Sequence, residues 1–65
     1  MNKYVIFGFD TVSRKEIYVY TNQHLKSMLV EVTDELDEAK KFDTARRAYE
    51  WARMKNLDYW KVGLR

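Results

Sequence analysis

The sequence contains no cysteine and no proline, and only two of its 65 residues are glycine. Without cysteine the chain has neither a disulfide framework nor a thiolate zinc site. Its longest apolar run, residues 4–9, is far shorter than the ~20 residues of a membrane-spanning helix. The first residues lack a basic stretch followed by an apolar one, which predicts that there is no secretory signal. We therefore expect a protein of the cytoplasm that does not interact with a membrane.

The composition is that of a folded chain of minimal size. Hydrophobic residues make up 46% and aromatic residues 15% of the sequence, which argues against intrinsic disorder. The length predicts a single domain, residues 1–65. A chain this short buries only about 60% of its unfolded surface, so its core is small.

The net charge of +2 hides an uneven distribution along the chain. Residues 1–30 carry a net charge of +2, residues 31–39 carry five acidic and no basic side chains, and residues 40–65 carry eight basic and three acidic ones. An acidic segment between two basic ones argues against both a DNA mimic and a histone-like polycation.

The first twenty residues predict a β-hairpin. Residues 3–9 are rich in β-branched and aromatic side chains, residues 10–15 are polar, and residues 16–20 alternate between apolar and polar. A hairpin alone is not stable in water, so further elements must cover it. Residues 28–32 resemble a third strand. Residues 34–41 have the composition of a helical turn, but a loop leading into a short strand at 39–42 is the alternative.

The second half predicts a helix followed by a strand. Asp43 or Thr44 can cap the helix, and Ala45, Ala48 and Ala52 form a narrow stripe that suits close packing on a sheet. Asn56 is a plausible end, and apolar residues alternate from 60 to 64. The predicted fold is α+β: a small antiparallel sheet, made of the hairpin, the last strand and the optional third strand, packed on one main helix.

Few residues offer chemistry. His24 is the sole histidine and has no cysteine partner, so neither a catalytic triad nor a multi-histidine metal site is available within one chain. The acidic residues lack the glycine and alternating oxygen ligands of a calcium loop, and Gly8 and Gly63 are too far apart for a phosphate-binding loop. The acidic residues concerned are Asp34, Glu35, Asp37 and Glu38. The sequence therefore predicts no enzyme, no cofactor and no metal.

Two surfaces compete as binding sites. If Val5, Phe7 and Phe9 face the helix together with Ile17 and Val19, three tyrosines gather on the outer face of the sheet, flanked by basic residues. Such a face can stack unpaired nucleobases, although cross-strand tyrosines also stabilise hairpins without a ligand. The candidate nucleic-acid-binding residues are Tyr4, Tyr18, Tyr20, Lys3, Arg14 and Lys15.

The second surface is one flank of the helix. Trp51 and Met54 lie about 100° and 160° from the centre of the alanine stripe, and Arg47 lies between them. These residue types are enriched at protein interfaces. The alternative is that residues 21–42 fold over this flank and bury Trp51. Otherwise Trp51, Met54 and Arg47 form a partner-binding site or a homodimer contact.

Residues 39–48 carry an alanine-x-x-phenylalanine-x-threonine pattern that leads into the helix. With the hairpin before it and the strand of residues 60–62 after it, this pattern resembles small, mostly uncharacterised phage and prophage accessory proteins. The resemblance implies that residues 39–42 are a strand and that Thr44 opens the helix; the acidic residues 31–38 depart from the pattern. It also implies a host context, since such proteins commonly bind and inhibit a host protein.

Three functions follow as expectations. The first is a non-enzymatic phage-type accessory protein that binds and modulates or inhibits a host protein, in host takeover or anti-defence. The second is a small nucleic-acid-binding module that uses the tyrosine face. The third is a homo-oligomeric structural accessory protein. A domain this small presents one rigid interface more readily than it encloses a substrate, whose pocket commonly measures ~300–1,000 Å³.

Overall fold

A computed structural model describes residues 3–23, 30–57 and 60–65. Over these residues the chain forms four strands, one 3₁₀ turn and one α-helix. In chain order they are β1 (Tyr4–Asp10), β2 (Lys15–Val19), β3 (Val32–Thr33), the 3₁₀ turn Leu36–Glu38, α1 (Ala45–Met54) and β4 (Lys61–Leu64). No helix among the described residues is long and apolar enough to cross a membrane.

The four strands form one antiparallel sheet in the order β3-β2-β1-β4. Its centre is the predicted hairpin, in which Phe7 pairs with Tyr18 and Asp10 with Lys15. The Asp10 carboxylate closes the connecting loop by accepting hydrogen bonds from the Val12 N–H and the Ser13 hydroxyl, both at 3.0 Å. These local bonds hold the conformation of the loop, and loop conformation and length together set the register of the hairpin.

Residues 34–42 combine parts of both alternatives: the helical turn is a 3₁₀ turn limited to Leu36–Glu38, and residues 39–42 do not form a complete strand. The 3₁₀ turn is followed by two isolated bridges, from Ala39 to Tyr20 and from Phe42 to Tyr4. The Lys40 N–H donates to the Val19 carbonyl at 2.8 Å, and the N–H groups of Tyr4 and Phe42 donate to each other's carbonyls. The segment therefore joins β2 to β1 beyond the point where their own pairing ends.

The main helix begins where the sequence predicts. Thr44 is the N-cap, and its hydroxyl accepts a hydrogen bond from the Arg47 N–H at 3.2 Å. Ala48 and Ala52 are buried against the sheet. Asn56 follows the helix with a left-handed backbone (φ 58°), a conformation that asparagine adopts more readily than most residues and that ends helices.

The sheet carries a hydrophobic cluster on each face. Even-numbered and odd-numbered residues of β1 belong to different clusters, because successive side chains of a strand point to opposite faces. The helix-side cluster contains Ile6, Val19, Ala48 and Ala52. The far-side cluster contains Val5, Tyr18 and Ala39, with Phe7 packed against it.

The predicted α+β fold, an antiparallel sheet packed on one helix, is confirmed. The third strand exists, but it is shorter and later than the predicted 28–32, and it pairs with the edge of β2 as residues 32–33. Residues 28 and 29 lie outside the described residues, as does His24.

Candidate functional site

One flank of α1 forms a shallow groove with the segment that precedes the helix. Phe42 comes from that segment and Trp51 from the helix; their ring centroids are 6.1 Å apart and the rings are tilted by 57°. Both side chains are half-buried and pack against the helix-side cluster. The two rings therefore make a fixed floor, anchored from below by the core of the domain.

Lysine ammonium groups lie over this aromatic floor. The Nζ atom of Lys40 is 5.6 Å from the centroid of Phe42 and 5.8 Å from that of Trp51, and Lys55 Nζ is 5.8 Å from Trp51. These distances are within the range of cation–π attraction. The attraction keeps positive charge beside the apolar floor of the groove.

Met54, Arg47 and Glu50 complete the groove, which we call the helix-flank groove: Lys40, Phe42, Arg47, Glu50, Trp51 and Met54. Met54 has 68% of its surface exposed, and Arg47 is exposed too. A flexible thioether and a guanidinium beside a rigid aromatic pair can offer both apolar contact and directed hydrogen bonds to another molecule.

The structure thus brings Trp51, Met54 and Arg47 together, as the sequence predicts. For Trp51, both alternatives are partly right. Lys40 and Phe42 lie against the flank and half-bury the indole; of the described ranges 21–23 and 30–42, only these two residues line the groove, in which Met54 and Arg47 are exposed. Trp51 belongs to the core on one side and to the surface on the other.

Sequence reasoning missed Lys40 and Phe42 as members of this groove. The alanine-x-x-phenylalanine-x-threonine pattern includes Phe42, but its position beside Trp51 depends on the bridge from Phe42 to Tyr4. That bridge joins residues far apart in sequence, and no periodicity within 34–42 announces it.

The predicted tyrosine face is not formed, and the assignment of Tyr4 to it is wrong. Tyr4 packs against the helix-side cluster, whereas Tyr18 belongs to the far-side cluster. The assignment of Phe7 to the helix side is likewise wrong, because Phe7 pairs with Tyr18 across the hairpin and shares its face. Tyr18 is only 9% exposed, so its ring is not available for stacking on a base.

The basic residues expected around that face are mostly engaged elsewhere. Lys3 forms an ion pair with Asp43, and Lys15 lies 3.6 Å from a carboxylate oxygen of Asp34. Arg14 is exposed in the hairpin loop with a left-handed backbone (φ 59°). Tyr20 is half-buried and bridged to Ala39. The six residues do not form one continuous surface.

The far side of the sheet carries charged residues beside its hydrophobic cluster. Arg65 donates two hydrogen bonds to the Glu16 carboxylate, at 2.9 and 3.0 Å, and its guanidinium carbon is 4.2 Å from the Phe7 ring centroid. This hydrogen bonding lowers the pKa of Glu16. Burial raises the pKa of Tyr18, and the neighbouring Glu16 carboxylate adds to that increase.

The arrangement around Arg65 is structural in character. A Cβ atom on Gly63 would be 2.9 Å from Phe7 Cε1, so the Phe7 ring is held between the backbone of β4 and the guanidinium. Glu16 and Arg65 are each other's partners, so their hydrogen bonds hold β2 and the end of β4 together.

No protein-family model, curated protein or solved structure matches this chain.

Proposed function

We propose that this chain is a non-enzymatic accessory protein that binds a protein partner through the helix-flank groove and thereby modulates or inhibits that partner. The observation that carries the proposal is the exposure of Met54 and Arg47 beside the fixed Phe42–Trp51 pair. Aromatic, methionine and arginine side chains are enriched at protein interfaces, and tryptophan and arginine are frequent among the residues that carry most of the binding energy.

The resemblance of residues 39–48 to small phage and prophage proteins motivates the nature of the partner. We propose a host protein in the cytoplasm, bound during host takeover or in countering defence. The size of the domain agrees with this role, because one preformed groove on a small scaffold suffices to occupy a surface of a larger protein.

Met54 is the residue at which to test the groove. It is exposed, so Met54→Ala leaves the core intact, whereas Trp51→Ala removes core packing as well. Tyr49→Ala is the matched control, since Tyr49 is also an exposed apolar residue of α1 (55%) but does not line the groove. We expect Met54→Ala to weaken capture of the partner from a nuclease-treated bacterial lysate at least about tenfold, as removal of an interface anchor does.

The readout is quantitative mass spectrometry of the captured proteins, with the unmodified chain, the Met54 variant and the Tyr49 variant run in parallel. A partner that survives nuclease and binds both variants equally contradicts the groove as the binding site. Circular dichroism of each variant verifies that the fold is retained.

Nucleic-acid binding is the competing function, and its geometric premise is weakened because the tyrosines are divided between two faces of the sheet. If capture collapses on nuclease treatment and its salt dependence is steep, the chain binds nucleic acid through its basic residues instead. A mass that rises with concentration in sedimentation points to self-association as the third function.

A further inference from the structure

The helix-flank groove carries an excess of positive charge. Its lining has two basic side chains, Lys40 and Arg47, and one acidic side chain, Glu50, and the Lys55 ammonium lies 5.8 Å from the centroid of Trp51. Among the residues that the structure describes, neither Lys40, Arg47 nor Lys55 forms an ion pair within 4.0 Å.

The single carboxylate of the groove does not neutralise it. Glu50 Oε1 accepts a hydrogen bond from Arg46 Nε at 3.3 Å, one helical turn earlier and outside the groove. Glu50 is thus paired outside the groove, and among the described residues neither Lys40 nor Arg47 has a close ion-pair partner. Cations without a close ion pair beside an apolar floor are complementary to acidic side chains that flank an apolar side chain.

We infer that the helix-flank groove binds an acidic peptide segment of a partner protein, in which an apolar side chain flanked by aspartate or glutamate enters between Trp51 and Met54. The inference rests on the proposed function and gives the partner its chemistry. The apolar side chain contacts the Phe42–Trp51 floor, and the flanking carboxylates accept hydrogen bonds from the Arg47 guanidinium and the Lys40 ammonium.

The test is a selection of binders from a random dodecapeptide display library with the intact chain as bait. We expect the selected peptides to be enriched in aspartate and glutamate on either side of a large apolar residue. A synthetic copy of a selected peptide is then titrated against the chain and its variants. Its affinity is expected to fall about fivefold or more between ~50 mM and ~500 mM salt, because the ion pairs lie at the surface and are screened.

Arg47→Glu is the informative variant and Arg53→Glu is its control. Both reverse one exposed charge on the same helix, but Arg53 does not line the groove. Glutamate three residues after the Thr44 N-cap also suits the start of a helix, so the Arg47 variant keeps its fold. We expect Arg47→Glu to weaken the peptide at least about tenfold and Arg53→Glu to weaken it less than about twofold.

Three results overturn the inference. In the first, the selected peptides are not enriched in acidic residues, and their affinity falls in Met54→Ala but not in Arg47→Glu. This result refutes the specificity for acidic peptides and leaves the groove as a binding site for an apolar partner. Peptides that bind both variants unchanged, or no recovered peptides, refute the proposed function at this site as well. Binding of a single-stranded oligonucleotide that Arg47→Glu abolishes assigns the groove to nucleic acid.

Discussion

At the scale of single residues, Glu16 shows how one contact links charge to stability. The carboxylate on β2 accepts two hydrogen bonds from Arg65, beyond the end of β4, so the pair ties together two strands that flank β1. Arg65 lowers the pKa of Glu16 below its ordinary value in the folded chain. Because the folded pKa is the lower one, the folded state binds this proton less readily than the unfolded state does.

We therefore predict that Glu16 makes stability depend on acidity. Its contribution is present above the ordinary carboxyl pKa and is lost as the pH falls through the lower folded pKa. Glu16→Gln is expected to cost about 1 kcal/mol or less at pH 7, the range of partly exposed ion pairs. Once the pH lies below the folded pKa of Glu16, the variant and the unmodified chain are expected to converge.

Urea denaturation from pH 7 to pH 2 measures this difference. The comparison with Glu16→Gln isolates Glu16 from Asp10 and Asp43, whose pKa values are also lowered, by the Ser13 hydroxyl and by Lys3 respectively. A difference in unfolding free energy that stays constant across the pH range contradicts the assigned role of the Glu16–Arg65 pair.

At the scale of elements, the start of α1 depends on one hydroxyl. Thr44 accepts a hydrogen bond from the Arg47 N–H, and this satisfies one of the four N–H groups that a helix leaves unpaired at its first turn. We predict that Thr44→Ala destabilises the chain by about 1 kcal/mol, as N-cap removal does. Thr44→Ser keeps the acceptor, and its free energy of unfolding is expected to lie within about 0.5 kcal/mol of that of the unmodified chain. Chemical denaturation of the three proteins measures these free energies. Equal losses for the alanine and serine variants contradict the role of Thr44 as the cap.

The elements that follow from local chemistry are those that the sequence predicts correctly. The hairpin, the capped helix with its alanine stripe and the last strand each depend on neighbouring residues, and so did the grouping of Trp51, Met54 and Arg47 on one flank. Residues 34–42 are different, because Ala39 and Phe42 are held by bridges to Tyr20 and Tyr4. Long-range pairing decides their conformation, and composition does not report it.

The tyrosine face was assigned wrongly for a related reason. β1 is apolar on both faces, so its alternation does not indicate which side meets the helix. The alternation predicts that Val5, Phe7 and Phe9 face the helix, whereas Ile6 faces it and Val5 and Phe7 lie on the far side. A strand buried on both faces has a continuous apolar sequence. Only its register with the neighbouring strands determines which of its residues lie on which face.

At the scale of the whole molecule, the two clusters share one strand. Val5 and Ile6 are adjacent on β1 and both are fully buried, one in the far-side cluster and one in the helix-side cluster. Loss of β1 from the sheet therefore dissolves both clusters at once. A small domain of this kind is expected to unfold in one cooperative transition.

This coupling predicts that a change on the far side is felt on the helix side. Val5→Ala removes two methyl groups from a fully buried side chain and is expected to cost about 2 kcal/mol, which lowers the melting temperature by roughly 10 °C in a domain of this size. Tryptophan fluorescence reports the helix side, where Trp51 and Trp60 pack, while far-ultraviolet circular dichroism reports the backbone. Equal shifts of the melting temperature in both signals establish one cooperative unit, whereas a shift in circular dichroism alone means that the two faces of the sheet melt independently.

Phe9→Ala is the control, because the Phe9 side chain is 63% exposed. It is expected to shift neither melting temperature by more than about a quarter as much.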